Sequence, residues 1–391
     1  LLRHIRMDTM NIPYLDLKAI TALHGEETEK AVDAVVSSGW YLQGEANRRF
    51  ERSYADYCGM RHCVGCGNGL DALTLTFRTY MEMGLIKEGD EVIVPANTYI
   101  ASILAITENR LRAVLVEPRI DTFQMDDSLV EAAITPRTRA ILLVHLYGRD
   151  AYTEKIGEIC QRHNLLLVID NAQAHGVTSP FHTQSSTHNH LPINITICHS
   201  FYPSKNLGAL GDGGAITTDD EEFATLFRGL ANYGSSKKYV FDHCGRNSRL
   251  DEMQAAVLDV RLQYLDEDNN SRRDIALRYI EEVENPLLTL PSREYLQHSV
   301  FHVFPVITQH RDLLMQYLKE NGVQTMIHYP IPPHRQKCYA DSPLIVLPAT
   351  GLPVTERIHR EELSIPCNPA LGMDEVTYII KVMNEFTLRK V

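Results

Sequence analysis

Long apolar runs are missing from this 391-residue chain. No stretch approaches the roughly 18 to 20 apolar residues that a membrane-spanning helix needs, so no such span is expected. Positive charge is also scarce: 38 Lys and Arg face 50 Asp and Glu, a formal net charge of −12. That balance argues against a generic nucleic-acid surface, although it leaves room for local basic pockets. The eight cysteines are scattered rather than arranged as a disulfide framework, and they read as reduced thiols of a cytoplasmic protein. Cys63 and Cys66 have CxxC spacing, but no second CxxC completes a zinc site, so the pair reads as structural. At the start, LLRHIRMDTM lacks an apolar core of signal-peptide length and reads as sequence added ahead of Met10.

What is present is an ordinary globular composition, 44% hydrophobic and 23% charged, with enough length for two domains and a large core. Apolar runs such as RAVLVE, RAILLVHLYG and LLLVID are separated by helical stretches such as TEKIGEICQRHN. This alternation predicts a mostly parallel sheet covered on both faces.

Two stretches carry chemistry. In TICHSFYPSKNLGALGDGG, residues 196 to 214, a short apolar run ends in a Ser-, Pro- and Gly-rich loop that holds Lys205. An amine must be neutral to attack a carbonyl, and partial desolvation of a lysine disfavours its ammonium form, so the position suits Schiff-base chemistry. Ser200 and the glycines at 208, 211, 213 and 214 offer hydroxyl and backbone donors suited to a phosphate. In NLLLVIDNAQAHG, residues 164 to 176, five apolar residues lead into Asp170, with Gln173 and His175 following. The carboxyl end of a parallel strand is where such sheets bind ligands, and a carboxylate there can pair with the ring nitrogen of a pyridine cofactor. An Asp at a strand end followed 35 residues later by a loop lysine specifies pyridoxal phosphate.

These residues resemble the DegT/StrS sugar aminotransferases, a branch of the fold-type I enzymes that use pyridoxal phosphate. The resemblance runs from SSGWYLQGEANRRFE (37 to 51) to HYPIPPH (328 to 334). It implies an α/β fold of the aspartate aminotransferase type, with a smaller C-terminal α/β domain. The expected division is a cofactor-binding domain over 11–250, a linking helix over 251–284 and the small domain over 285–391. By the same resemblance Lys205 links covalently to the cofactor, Asp170 pairs with the pyridine nitrogen, Gln173 bonds the ring hydroxyl and Ser200 the phosphate. Tyr99, in VPANTYIASILAITEN, is expected to stack on the ring. Asn247, in NSRLDEMQAA, is expected to reach the phosphate of a neighbouring subunit, which implies a homodimer with shared active sites.

A second phosphate contact lies in HCVGCGNGLDALTLTF, where a strand turns through glycines into a helix whose free N–H groups suit an anion. Family members usually place Thr or Ser where this chain has Leu70, so only backbone contacts carry over, to Gly69 and Leu70. Tyr41 in the SGWYLQGE turn, Arg249, and His328, Tyr329 and His334 in HYPIPPH are the candidate substrate contacts. Lys237 and Lys238 are nearby cations that suit a pyrophosphate. Three histidines in the polar segment after Gly176, at 182, 188 and 190, lack a carboxylate or cysteine among them and read as a solvated loop, so no metal is expected.

The resemblance implies transfer of an amino group from glutamate to a nucleotide-linked keto sugar, with the cofactor passing through its pyridoxamine phosphate form. It points to C-3 of a dTDP-linked 3-keto-6-deoxyhexose. The alternatives are a 4-keto sugar aminotransferase, a dehydratase, which Lys205 disfavours because related dehydratases carry His there, and a non-catalytic sensor of the same fold.

Overall fold

The structure is a computed structural model that describes residues 10–177 and 195–388. The three histidines at 182, 188 and 190 therefore lie outside the described residues, as does the extension ahead of Met10. Twelve strands are described: β1 His62–Cys66, β2 Glu91–Pro95, β3 Arg112–Val116, β4 Thr138–Val144, β5 Leu166–Asp170 and β6 Ile195–Ser200, then β7 Gly214–Thr218, β8 Ser235–Lys237, β9 Val240–Phe241, β10 Phe304–Ile307, β11 Ile345–Val346 and β12 Glu362–Ile365. Eight of them form one sheet in the order β1-β7-β6-β5-β4-β2-β3-β11. Only β7 runs against its neighbours, so the sheet is mostly parallel, as the alternating pattern predicts.

The central strands are buried on both faces because successive side chains point to opposite sides of a strand. Ile141, Leu143, Leu167 and Ile169 enter one core, while Ala140, Leu142, Leu166 and Val168 enter the other. The same alternation separates the CxxC pair, since Cys63 belongs to the first core and Cys66 to the second. Both thiols are free and buried, on opposite sides of β1, so they share no metal-binding face.

A third core surrounds the antiparallel pair β10 and β12, with Phe304, Val306, Leu363 and Ile365 packed under the helices Arg311–Glu320 and Met373–Glu385. The single helix expected over 251–284 is two, Glu252–Leu262 and Leu265–Glu282. Ala255, Leu258 and, beyond the break, Leu265 serve the first core, whereas Ile275, Ala276 and Tyr279 serve the third, so the second helix carries the chain from one core to the other. At the junction Tyr264 stacks on His24 with ring centroids 3.8 Å apart. In HSVFHVFPVI only Phe304–Ile307 becomes a strand, because Phe301 takes a positive φ of 44° and the Val300 amide bonds Gly148 rather than a strand partner.

The parallel arrangement places the carboxyl ends of β1, β2, β5 and β6 along one edge of the sheet. Gly69, Tyr99 and Lys205 follow the ends of β1, β2 and β6, and Asp170 is the last residue of β5. Strand order, and not closeness in sequence, brings them together.

Candidate active site

Asp170 is the last residue of β5 and is buried at 6% exposure. Its Oδ1 accepts a hydrogen bond from the Ala172 amide at 3.1 Å and its Oδ2 one from the Ser102 hydroxyl at 2.8 Å. Burial pushes its carboxyl above the usual range, and Ser102, the Ala172 amide and the Lys205 ammonium oppose that push. Lys205 leaves the adjacent β6 through a turn closed by its amide on the Tyr202 carbonyl. Burial lowers its ammonium to about 8, against the raising influence of Asp170. Each charge thus stabilises the other, and the lysine keeps a substantial neutral fraction near neutral pH.

Gln173 is fixed by two bonds. Its Oε1 accepts from the Tyr147 amide at 2.7 Å, and its Nε2 donates to the Tyr329 hydroxyl at 2.8 Å. Tyr329 also meets Tyr99, their ring centroids 5.0 Å apart, so these two aromatic rings and Gln173 form one wall. Tyr99 caps the helix Ile100–Glu108 and is half-exposed, which leaves ring surface free to cover a ligand. The loop bearing Tyr329 is held from behind. The His328 amide donates to Glu362 at 2.7 Å, its Nδ1 lies 2.8 Å from the Ser364 hydroxyl, and the Tyr147 hydroxyl donates to the His328 carbonyl. Burial and the Lys205 charge push His328 down to about 4, so its ring is neutral.

The phosphate turn is built from Gly69 and Ser200. A Cβ at Gly69 would lie 2.5 Å from the Ser200 Cβ, so only glycine lets the helix Gly69–Glu82 begin this close to the end of β6. Asn68 caps that helix by accepting the Asp71 amide at 2.9 Å. The amides of Gly69 and Leu70, in the same first turn, have no acceptor among the described residues and remain to meet an anion. The next segment is tied to this turn, because Ser248 accepts the Gly67 amide at 2.9 Å and donates to Asp71 at 2.7 Å. That leaves Asn247 exposed, in a β-bridge with Asn232.

The remaining candidates stand apart from this group. Tyr41 is half-exposed on a turn fixed by Glu252, which accepts the amides of Gly44, Ala46 and Asn47. Arg249 bonds Asn232 at 3.2 Å and lies 5.6 Å from the Tyr233 ring centre. His334 turns away, buried and 3.3 Å from Glu356. Lys238 sits 5.3 Å from the ring of Tyr239, in the turn of the β8–β9 hairpin. No group of three or more His, Cys, Asp or Glu that could hold a metal occurs among the described residues. Sequence reasoning missed Ser102 and the Glu362–Ser364 support. Ser102 had a legible signal, since it lies one helical turn after Tyr99 and so shares its face.

The donor set fits pyridoxal phosphate. A carboxylate stands at one end of the wall, a hydroxyl and two unpartnered helix amides stand beside it, and a lysine of lowered pKa comes from the neighbouring strand. Comparison with known proteins bears on the same question. The profile described as the DegT/DnrJ/EryC1/StrS aminotransferase family matches residues 23–384. A dTDP-3-amino-3,6-dideoxy-alpha-D-galactopyranose transaminase of Aneurinibacillus thermoaerophilus is 46% identical over 96% of this chain and 99% of its own. S. venezuelae DesV, solved in complex with a ketimine intermediate, superposes with a TM-score of 0.89 at 42% identity, covering 96% of this chain and 98% of its own. NtdA of Bacillus subtilis, solved with bound cofactor PMP, superposes with a TM-score of 0.85 at 28% identity, covering 97% of this chain and 85% of its own.

Proposed function

The chain belongs to the DegT/DnrJ/EryC1/StrS aminotransferase family, and from that premise we propose that it moves an amino group from glutamate to C-3 of a dTDP-linked 3-keto-6-deoxyhexose. It is a pyridoxal phosphate-dependent sugar aminotransferase. The observation that carries the residue assignment is the mutual influence of Asp170 and Lys205 at the ends of adjacent parallel strands. The relative that acts on a dTDP-3-amino sugar, matched along nearly its whole length, supports the substrate class.

Pyridoxal phosphate, when bound, supplies a carbonyl carbon for the incoming amine and a ring that stores electrons. Asp170 holds its ring nitrogen and Gln173 its ring hydroxyl. Ser200 and the amides of Gly69 and Leu70 hold its phosphate, and Tyr99 covers one face. Lys205 would hold the cofactor covalently at rest; displaced by the donor's own amine, its freed amine, lowered to about 8, would be the base that takes and carries the proton of the donor's α-carbon. The His328–Tyr329 loop closes the sugar side and orients the substrate, and Tyr41 and Arg249, which stand apart from it within one chain, are assigned to the site of the partner subunit.

The active unit in this reading is a homodimer acting in the cytoplasm, with Asn247 serving the phosphate of the partner subunit. Its support is the position of Asn247, exposed beside its own phosphate turn, and the exposed aromatic residues Trp40 at 63%, Tyr239 at 81% and Phe241 at 57%. Among the described residues no helix is long and apolar enough to cross a membrane. The same reading keeps the division at residues 250 and 285, supported by the core around β10 and β12, although that core also takes in Phe123, Val144 and Tyr147 from the larger part and β11 returns to the main sheet.

The test supplies glutamate with dTDP-linked 3-keto and 4-keto 6-deoxyhexoses and locates the new nitrogen by NMR. Nitrogen at C-3 is expected, and efficient turnover of only the 4-keto sugar would refute the assignment. Mixing Lys205→Ala chains with Asn247→Ala chains tests the shared site, because hybrid dimers should regain one intact centre. Hybrids that form but stay inactive would count against it.

A further inference from the structure

Asp170 has a support of its own that no part of the reaction described above uses. Ser102, fully buried in the helix Ile100–Glu108, donates to Asp170 Oδ2 at 2.8 Å, and Thr98 Oγ1 lies 2.8 Å behind the Ser102 hydroxyl. Thr98 is itself buried, at 1% exposure. A hydroxyl has one hydrogen to give. An ionised Asp170 can only accept, so the Ser102 hydrogen goes to Asp170 and Thr98 must supply the bond to Ser102. The chain Thr98 to Ser102 to Asp170 then has one direction, with every hydrogen used. A protonated Asp170 would reverse it and leave the Thr98 hydrogen to find another acceptor. The second carboxylate oxygen is pinned by the Ala172 amide. The titratable groups facing Asp170 are Lys205 after β6, Cys198 on β6 and Tyr329 from the opposite loop. Lys205 is the one of these that carries a positive charge, so the ionised carboxylate depends on few groups, and Ser102 is one of them.

We propose that Ser102, backed by Thr98, is a positioning residue that fixes the rotation of the Asp170 carboxylate and keeps it ionised toward the pyridine nitrogen. This rests on the assignment of Asp170 to that nitrogen. Thr98 and Ser102 flank Tyr99, so one five-residue segment sets both the face of the ring and the charge at its edge.

The experiment compares Ser102→Ala, Ser102→Thr, Ser102→Cys and Thr98→Val with Asp170→Asn and wild type. Two readouts are taken: the dissociation constant of pyridoxamine phosphate from the apoprotein, and the pH midpoint of the visible band of the cofactor bound to Lys205. Ser102→Ala should weaken pyridoxamine phosphate about 10- to 100-fold, the range of a lost hydrogen bond to a charged group. It should also move the pH midpoint in the same direction as Asp170→Asn. Ser102→Thr should restore both. Thr98→Val should have a smaller effect of the same sign, because Ser102 can still donate without it. Ser102→Cys, a weak donor of similar size, should fall between and serves if the alanine variant fails to fold. Wild-type values in the Ser102 variants beside altered values in Asp170→Asn would overturn the role of Ser102 alone. Wild-type values in Asp170→Asn would overturn the assignment of Asp170, and this inference with it.

Discussion

Asp170 at the end of β5 and Glu362 at the start of β12 are both buried carboxyls. Their neighbours differ. Asp170 faces the Lys205 ammonium and two hydrogen-bond donors, which oppose the effect of burial. Glu362 accepts the His328 amide and the Ser364 hydroxyl, but the one cation that favours its charge, Arg311, acts weakly, and burial pushes it up to about 8. One carboxyl is thus arranged to carry charge where a cofactor ring would sit. The other stays protonated at neutral pH and serves as a neutral strut behind the Tyr329 loop. The contrast teaches that depth alone does not set ionisation, since a cation and well-aimed donors on one side of the cleft separate two groups of similar burial.

The largest way to break this contrast is to remove the cation. Lys205→Ala should lower turnover by about 10²- to 10⁴-fold, the range of a lost general acid-base group, while the cofactor still binds without a covalent link. Steady-state rates and dialysis followed by absorbance measure both, and wild-type turnover would end the assignment of Lys205. It should also raise the Asp170 carboxyl, making it more like Glu362.

Asp170→Asn removes the charge and keeps the shape. Turnover should fall about 100-fold while circular dichroism and the melting temperature stay near wild type, because a lost charge-assisted bond of about 3 kcal/mol corresponds to that factor. An unchanged rate would show that the ring nitrogen needs no carboxylate here.

Glu362→Gln sharpens the other side. The folded carboxyl keeps its proton up to about 8, whereas the unfolded chain releases it near 4.5. Between those values the folded state binds more protons, so stability falls as pH rises and levels off above 8. From pH 5 to 8 wild type should lose about 2 to 4 kcal/mol more stability than the glutamine variant, measured by urea unfolding at each pH. Parallel curves would show that Glu362 is already ionised in the fold.

Ser364→Ala should have the smallest effect. It removes the donor to Glu362 and the partner of His328 Nδ1, for a loss of about 1 kcal/mol read as a lower melting temperature. It should leave the pH dependence of Asp170-linked absorbance unchanged. A shift there would join the two regions into one network.

Much of the site was legible because its parts are local. Asp170 and Gln173 share one strand end, Ser200 and Lys205 share another, and Gly69 with Leu70 open a helix after a Gly-rich turn. Apolar runs and Gly or Pro turns mark such places within a dozen residues. The break at Gln263 and Tyr264 was not legible, since both residues tolerate a helix and no Gly or Pro marks the turn. His334 was expected on the sugar side, but its partner Glu356 lies 22 residues further on, in the helix Pro353–Glu361.

From the sequence by itself came the residue types, their local frames and the order of strands along the chain. Those follow from side-chain polarity and backbone freedom over short windows. The tertiary structure alone decided which frames meet. Ser102 reaches Asp170 across 68 residues because the sheet sets β2, β4 and β5 side by side, and Gln173 reaches Tyr329 across 156 because β12 holds the Tyr329 loop over the strand ends. Burial and charge partners exist only after that assembly. The protonation of Asp170, Glu362 and Lys205 is therefore a property of the fold, and no inspection of the chain one segment at a time yields it.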